Sequence, residues 1–275
     1  MNTENGSIEI NGGKIWYEIA GQGPTVVLAH AGFVDSRMWD TQWEALTQHY
    51  RVVRFDMRGF GRSDSASGPI SRREEFRQVL DGLGIDRAAL IGCSLSGEVI
   101  IDFALEYPEK VTALVPVSAV PSGFEMQGEP PRYLMEMIGA MQQGDLDLAS
   151  ELQLRIWVDG MYREPTEVDP SVRQHAADMT RIPVSRSTFF VADSEPVSPL
   201  DPPAVNRLAE IPAPTLVIAG SLDHPEILRA ADWMTQQIPS AQKHIIDNAA
   251  HVPNMEQPGE FNRAVLVFLA ASRIS

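Results

Sequence analysis

Cysteine is almost absent from this chain of 275 residues, since Cys93 is its single example. One cysteine cannot form an intrachain disulfide, and it cannot supply a zinc site built from cysteine ligands. The sequence therefore excludes both kinds of cysteine cross-link. A low cysteine content is typical of proteins that reside in a reducing compartment.

Long apolar runs are missing as well. No stretch of the sequence approaches the ~20 apolar residues that a membrane-spanning helix requires. Residues 1–6 contain neither the basic cluster nor the apolar segment of a signal peptide. The sequence therefore predicts a soluble protein in the cytoplasm.

Basic residues are scarce relative to acidic ones. Lys and Arg number 22 against 37 Asp and Glu, which gives a formal net charge of −15. A field of this sign repels phosphate backbones and anionic lipid headgroups. We expect no nucleic-acid partner and no membrane partner, and we expect a small molecule as the substrate. Both a monomer and a homodimer remain open.

Motifs for nucleotides and metal ions are also lacking. The chain has no G-x-x-x-x-G-K-[ST] phosphate loop and no H-E-x-x-H zinc motif. The run Gly59-Phe60-Gly61 begins like a dinucleotide fingerprint, but the third glycine of that fingerprint is missing. Nothing in the sequence therefore points to a bound nucleotide or to a metal site.

The chain does contain a regular alternation of secondary-structure patterns. Short apolar segments rich in β-branched residues alternate with longer amphipathic ones, which is typical of a parallel sheet covered by helices on both faces. The predicted strands are residues 8–10, 14–20, 25–30, 51–56, 87–92, 112–118, 214–220 and 242–247. A turn at 11–13 joins the first two, and residues 260–271 form a closing helix. The predicted fold class is α/β, with a mostly parallel, doubly wound sheet.

This alternation stops between about residues 121 and 206, where no convincing strand occurs. Six methionines fall in this segment, namely Met126, Met135, Met137, Met141, Met161 and Met179. Prolines divide it into short helices, at positions 130, 131, 165, 170, 183, 196, 199, 202 and 203. We predict a core of residues 1–121 and 207–275, interrupted by a helical cap at 122–206 that covers a pocket. The alternative is that the methionines serve packing alone.

The strongest local motif is the run L-I-G-C-S-L-S-G at residues 90–97. An apolar strand here enters a turn of small residues around Ser94 and continues into a helical pattern, which is the arrangement of a nucleophile elbow. The consensus G-x-S-x-G is met except that Ser96 replaces its second glycine. Serine is small enough for that position. Cys93 precedes the nucleophile, but its side chain should point away from Ser94 and serve packing.

With this elbow the chain resembles an α/β-hydrolase of the serine carboxylesterase type with a helical cap. Four further segments fit the family in the expected order: H-A-G-F at 30–33, D-M-R-G-F-G-R-S at 56–63, G-S-L-D at 220–223 and N-A-A-H-V-P at 248–253. The resemblance implies a catalytic triad of Ser94, Asp223 and His251, which stand in the order expected for this fold. His30 is expected to be a buried partner of its turn, whereas His224 is ambiguous.

The resemblance also implies the remaining parts of the site. Backbone N–H groups of Leu95 and Gly32 would form the oxyanion hole, although alanine at 31 leaves Phe33 as the alternative donor. Phe33 and Trp157 are candidates to line the substrate pocket. Serine attack through an acyl-enzyme requires no metal and no organic cofactor.

The residue type at the nucleophile position limits the reactions that the resemblance allows. Haloalkane dehalogenases and epoxide hydrolases of this fold carry aspartate at the elbow, so Ser94 argues against both. The leading hypothesis is a serine hydrolase that cleaves carboxylic esters of small or medium acyl chain. The alternatives are a C–C bond hydrolase of ring-cleavage products, a lactonase, a cofactor-free perhydrolase, or a ligand-binding module without catalysis.

Overall fold

A computed structural model describes residues 3–10, 12–195 and 197–274. Within them a single sheet contains β1 (Glu4–Ile10), β2 (Gly13–Ala20), β3 (Thr25–Ala29), β4 (Arg51–Phe55), β5 (Ala88–Cys93), β6 (Val111–Val117), β7 (Thr215–Gly220) and β8 (Ala241–Ile246). The strand order is β1-β2-β4-β3-β5-β6-β7-β8. Only the pairs β1–β2 and β2–β4 are antiparallel. The predicted α/β class and mostly parallel sheet are confirmed.

The first strand is longer than the sequence pattern indicated. It begins at Glu4 instead of residue 8, because its polar first half pairs through the backbone with β2, with Glu4 opposite Ile19. Backbone pairing at a sheet edge needs no apolar side chains, so hydrophobic alternation does not reveal it. Asn11 of the predicted turn, and residues 1 and 2, lie outside the described residues.

From β3 onward, each strand is followed along the chain by one or more helices. The α-helices of the described residues are α1 (Asp40–Leu46), α2 (Arg72–Gly82), α3 (Leu95–Glu106), α4 (Leu134–Gln143), α5 (Leu146–Leu154), α6 (Pro170–Ser185), α7 (Thr188–Ala192), α8 (Pro225–Gln237), α9 (Pro253–Glu256) and α10 (Pro258–Ala271). Short 3-10 helices occur at Ser36–Trp39, Pro108–Lys110, Pro165–Glu167, Ala204–Asn206 and Leu208–Glu210, and a π-helical turn at Arg155–Asp159.

The core lies on both faces of the sheet. Successive side chains of a strand point to opposite faces, and β3 shows this directly. Val27 packs into a cluster with Phe76 of α2 and Phe103 of α3, whereas Leu28 packs into a second cluster with Phe261 of α10. A strand buried on both faces has no polar side, which is why the central strands read as continuous apolar runs.

The segment between β6 and β7 contains helices α4 to α7 and no strand among its described residues. Helices α4, α5 and α6 share a small apolar cluster of Met137, Ala140, Ala149, Leu152, Ile156 and Val184. Pro183 does not separate two helices as expected, because it lies inside α6, only two residues before that helix ends. Pro196 lies outside the described residues. The division into core and cap stays a prediction.

Among the described residues, no helix is long and apolar enough to cross a membrane. The cytoplasmic location and the oligomeric state stay predictions.

The sheet geometry creates one edge where several loops meet. Strands β5, β7 and β8 run parallel to one another, through β6. Their carboxyl ends therefore lie at the same edge of the sheet, where open α/β sheets bind their ligands. The segments that follow these three strands carry Ser94, Asp223 and His251.

Candidate active site

Ser94 occupies the sharp turn between β5 and α3. Its backbone angles are φ 55° and ψ −116°, a strained conformation for a residue with a side chain. The turn closes tightly, since a Cβ at position 92 would lie 2.5 Å from the carbonyl oxygen of Ser96, and a Cβ at position 97 would overlap that of Ala119. Only glycine fits at these two positions.

Serine at position 96 is accommodated without conflict. Its side chain is buried, and its hydroxyl donates a 2.6 Å hydrogen bond to the carbonyl oxygen of His30. This bond ties the elbow to the loop after β3. His30 is itself fully buried and accepts a hydrogen bond from the Met57 N–H at Nε2, so it has a structural role at this turn.

The structure brings Ser94, His251 and Asp223 into one hydrogen-bonded chain. The Ser94 hydroxyl lies 2.8 Å from Nε2 of His251. On the other side of the ring, Nδ1 lies 3.0 Å from both carboxylate oxygens of Asp223. The Asp223 and His251 side chains are each 3% exposed. With the Nδ1 proton donated to Asp223, Nε2 is free to accept the serine proton.

Further hydrogen bonds and an ion pair hold the loops that carry Asp223 and His251. Asp223 accepts a 2.7 Å hydrogen bond at Oδ1 from the backbone N–H of His224. Next to His251, the N–H of Ala250 donates to Glu256 at 2.7 Å. Glu256 in turn forms a buried 2.7 Å ion pair with Arg163. Arg163 belongs to the segment between β6 and β7, so that segment helps to position the histidine loop.

The two residues whose backbone N–H groups are expected to bind an oxyanion are in contact. A Cβ built on Gly32 would be 3.1 Å from the Leu95 side chain, so the loop after β3 touches the start of α3. Within the described residues, the N–H groups of Gly32 and Leu95 donate no hydrogen bond. Free N–H groups at a helix N-terminus are suited to receive negative charge.

A cavity of about 260 Å³ opens directly beside Ser94. Its wall is mostly apolar and is formed by Ser94, Leu95, Glu98, Ser118, Val120, Met126, Pro131, Trp157, His224, Ile227 and His251. Trp157 is therefore part of the wall, and its ring centroid lies 4.8 Å from that of His251. Phe33 is not part of the wall; it is buried, and its ring centroid lies 6.3 Å from that of Trp157.

His224, ambiguous from the sequence, lies at the start of α8 and faces the cavity. Its Nδ1 accepts a hydrogen bond from the N–H of Glu226, and its Nε2 contacts the carbonyl oxygen of Glu129 at 3.0 Å. Both ring nitrogens are thus used in holding the loops.

Cys93 is a buried neighbour of the site. Burial raises the pKa of its thiol, which makes Cys93 a poor nucleophile.

Two polar residues in the wall were not anticipated from the sequence. Ser118 follows β6 and has a positive φ of 47°, and its buried hydroxyl has no hydrogen-bond partner in the described part of the chain. Glu98 lies in the first turn of α3, otherwise an apolar helix near its start. Burial, and to a lesser degree the Asp102 carboxylate, raise the pKa of Glu98 to about 7. A lone carboxylate one turn after the nucleophile is a signal that sequence reading could have used.

Glu98 should make the stability of the protein depend on pH. Because its pKa in the folded chain is about 7, above the ~4.3 of an unfolded chain, the folded state binds the proton more tightly. Stability is then full below the unfolded value and falls as pH rises through about 7. We expect Glu98→Gln to raise the free energy of unfolding by roughly 1–3 kcal/mol at pH 8.5 and to change it little at pH 4.

Urea denaturation at the two pH values measures this effect. The exposed Glu109→Gln change serves as a control, since it alters the net charge equally and should show no such dependence. Equal stabilisation by Glu98→Gln at both pH values would contradict a raised pKa of Glu98 in the folded chain.

No group of three or more His, Cys, Asp or Glu side chains in residues 3–10, 12–195 and 197–274 is arranged to hold a metal ion.

Similarity to known proteins agrees with this geometry. The family model of the α/β hydrolase fold matches residues 24–258. The chain is 29% identical over 268 residues to 2-hydroxy-6-oxo-6-phenylhexa-2,4-dienoate hydrolase of Burkholderia cepacia, which covers 94% of this chain and 91% of that protein. It is 27% identical over 254 residues to carboxylesterase YbfK of Bacillus subtilis, with 90% of this chain and 80% of that protein covered.

A solved structure described as Est816, an N-acyl homoserine lactone degrading enzyme, is similar over the whole fold. The TM-score is 0.77 at 26% identity, and the match covers 96% of this chain and all of that one. The names of these three proteins point to different substrates, namely a dienoate, a carboxylic ester and an N-acyl homoserine lactone.

Proposed function

The chain belongs to the α/β-hydrolase family, and from this we propose that it is a serine hydrolase that cleaves carboxylic esters of small or medium acyl chain through an acyl-enzyme. The observation that carries the proposal is the hydrogen-bonded chain from Ser94 through His251 to Asp223, beside an apolar cavity. Serine hydroxyls are weak nucleophiles at neutral pH, and this arrangement supplies the base that they need.

In the proposed first half-reaction, Ser94 Oγ attacks the ester carbonyl carbon while His251 Nε2 takes the hydroxyl proton. The carbonyl oxygen becomes an oxyanion, which accepts hydrogen bonds from the N–H groups of Gly32 and Leu95. Each such bond is typically worth about 3 kcal/mol in the transition state. His251 then gives its proton to the leaving alcohol, and the acyl group remains on Ser94.

The second half-reaction repeats these steps with water. His251 removes a proton from a water molecule as that water attacks the acyl-enzyme, and it returns the proton to Ser94 Oγ as the acid leaves. Asp223 holds the ring in the required tautomer throughout and stabilises the imidazolium form. Glu256 and Arg163 keep the histidine loop in place.

The cavity wall favours esters over the dienoates that the Burkholderia relative is named for. A dienoate carries a carboxylate, and a buried carboxylate is costly unless a cation pairs with it. No lysine or arginine lines the cavity in the described part of the chain. The wall instead holds the Glu98 carboxyl. An uncharged ester meets neither obstacle.

Lactones are a second candidate class. They are cyclic esters, so the same attack on an acyl carbonyl opens them without any change in the machinery. The similarity to Est816 supports this reading, because that protein is described as degrading a lactone.

Hydrolysis of p-nitrophenyl esters from acetate to decanoate tests the proposal. A cavity of about 260 Å³ is smaller than the roughly 300–1,000 Å³ of drug-sized pockets, so we expect the highest kcat/KM at acyl chains from acetate to hexanoate. An N-acyl homoserine lactone and a 2-hydroxy-6-oxo-dienoate are assayed alongside. Cleavage of the dienoate without turnover of any ester or lactone would show that the reaction is C–C hydrolysis instead.

A further inference from the structure

Glu98 is placed where a bound substrate would meet it. Its backbone N–H donates to the carbonyl oxygen of Ser94 at 3.1 Å, so it lies about one helical turn beyond the proposed nucleophile. It lines the same cavity as Ser94 and His251. It also borders a second cavity of about 520 Å³, which shares Leu95 and Glu98 with the first.

No group of the described chain neutralises this carboxyl. The side-chain carboxyl of Glu98 takes part in no hydrogen bond and no ion pair among the described residues. Its near neighbour on the same helix, Asp102, adds negative charge, although Asp102 has its own hydrogen bond from Ser122 at 2.6 Å.

The cations closest to this region are already paired. In the second cavity, Arg73 forms ion pairs with Glu106 at 2.5 Å and with Asp102 at 3.7 Å. Arg72 is held by Glu75 at 2.9 Å and by Asp193 at 2.7 Å. The other titratable side chains that line the active-site cavity with Glu98 are the imidazoles of His224 and His251. The ring nitrogens of both already have hydrogen-bond partners.

A second polar atom in the same wall lacks a partner. The Ser118 hydroxyl is buried and makes no hydrogen bond within the described residues. The segments of these two residues touch, because Gly97 packs directly against Ala119. Unpaired buried polar groups are rare in native proteins, and one in a cavity wall is able to bind a water molecule or a ligand.

We propose that Glu98 determines the charge of the substrate: it pairs with an amine on the acyl or alcohol part of the ester and excludes substrates that carry a carboxylate. This inference rests on the proposed function only in assigning the bound molecule as an ester. A substrate ammonium would supply the counter-charge that the protein omits. A substrate carboxylate would place a second negative charge beside Glu98 in a largely apolar wall, where like charges are costly.

The binding of three small probes of equal chain length tests this proposal. Isothermal titration calorimetry at pH 8 gives the Kd of hexylammonium, hexanol and hexanoate for the wild-type protein. We expect hexylammonium to bind at least about tenfold more tightly than hexanol, and hexanoate at least about tenfold more weakly. In Glu98→Gln, which keeps the side-chain volume, the three Kd values should lie within about threefold of one another.

The control is Glu109→Gln, which removes the same unit of charge from an exposed position and should preserve the wild-type order of affinities. Equal affinities in the wild type, or an unchanged order in Glu98→Gln, would overturn the proposal. The titrations need no turnover. If the protein binds the probes in the expected order but hydrolyses no ester, the proposed role of Glu98 stands and the proposed function is wrong. If it hydrolyses esters but binds the three probes with equal affinity, the proposed function stands and the role of Glu98 is wrong.

Discussion

Replacing Ser94 with alanine is expected to lower kcat for p-nitrophenyl acetate by about 10⁵-fold or more. The change removes the oxygen that forms the acyl-enzyme, and it leaves His251 and Asp223 without a nucleophile to activate. The cavity wall loses a single oxygen atom, so KM should change little. Residual turnover would come from substrate binding and the oxyanion donors alone.

The measurement compares purified wild-type protein, Ser94→Ala and Ser185→Ala. Ser185 is an exposed serine at the end of α6, outside the site, and its replacement should leave kcat unchanged. A fluorophosphonate probe should label the wild type and Ser185→Ala covalently but not Ser94→Ala. Undiminished hydrolysis by Ser94→Ala would remove Ser94 from the mechanism.

Asp223→Asn is expected to lower kcat by about 10⁴-fold, equivalent to about 5 kcal/mol of transition-state stabilisation. The carboxylate lies 3.0 Å from Nδ1 of His251 through both oxygens. An amide at this position can donate to Nδ1 and so favour the wrong tautomer, which leaves Nε2 protonated and unable to accept the serine proton. It also loses the negative charge that stabilises the imidazolium.

The matched control is Asp247→Asn, an exposed carboxylate that follows β8 and makes no contact with the site. Its kcat should equal that of the wild type. The double variant Ser94→Ala with Asp223→Asn should be no slower than Ser94→Ala alone, because the two groups act as a unit. Additive losses in the double variant would mean that Asp223 acts independently of Ser94.

The main elements of the fold could be predicted because they depend on residues that are neighbours in sequence. A parallel strand buried on both faces needs a short apolar run such as Val26 to Leu28, and such runs are visible in the sequence. The elbow is visible for a similar reason. Its backbone path admits only small residues, and Gly92 and Gly97 have no room for a Cβ. Ser94, Asp223 and His251 could be proposed because the motifs around them resemble those of the α/β-hydrolase family and occur in the expected order.

Other features arise only when distant segments meet. Arg163 and Glu256 are separated by most of the second half of the chain, and no sequence pattern indicates that they form a buried ion pair beside His251. Phe33 and Trp157 both looked like pocket residues. Only the tertiary structure shows that Trp157 lines the cavity and that Phe33 does not.

The sequence by itself therefore determined the α/β class and the order of the strands along the chain, and it predicted the three residues that we propose for serine hydrolysis. The tertiary structure decided their distances, the wall of the cavity and the protonation of Glu98. The physical reason is that strand and turn preferences depend on neighbours in sequence. The pKa of a carboxyl depends instead on which groups replace its water, and those groups come from α3, β6 and the loops that fold over them.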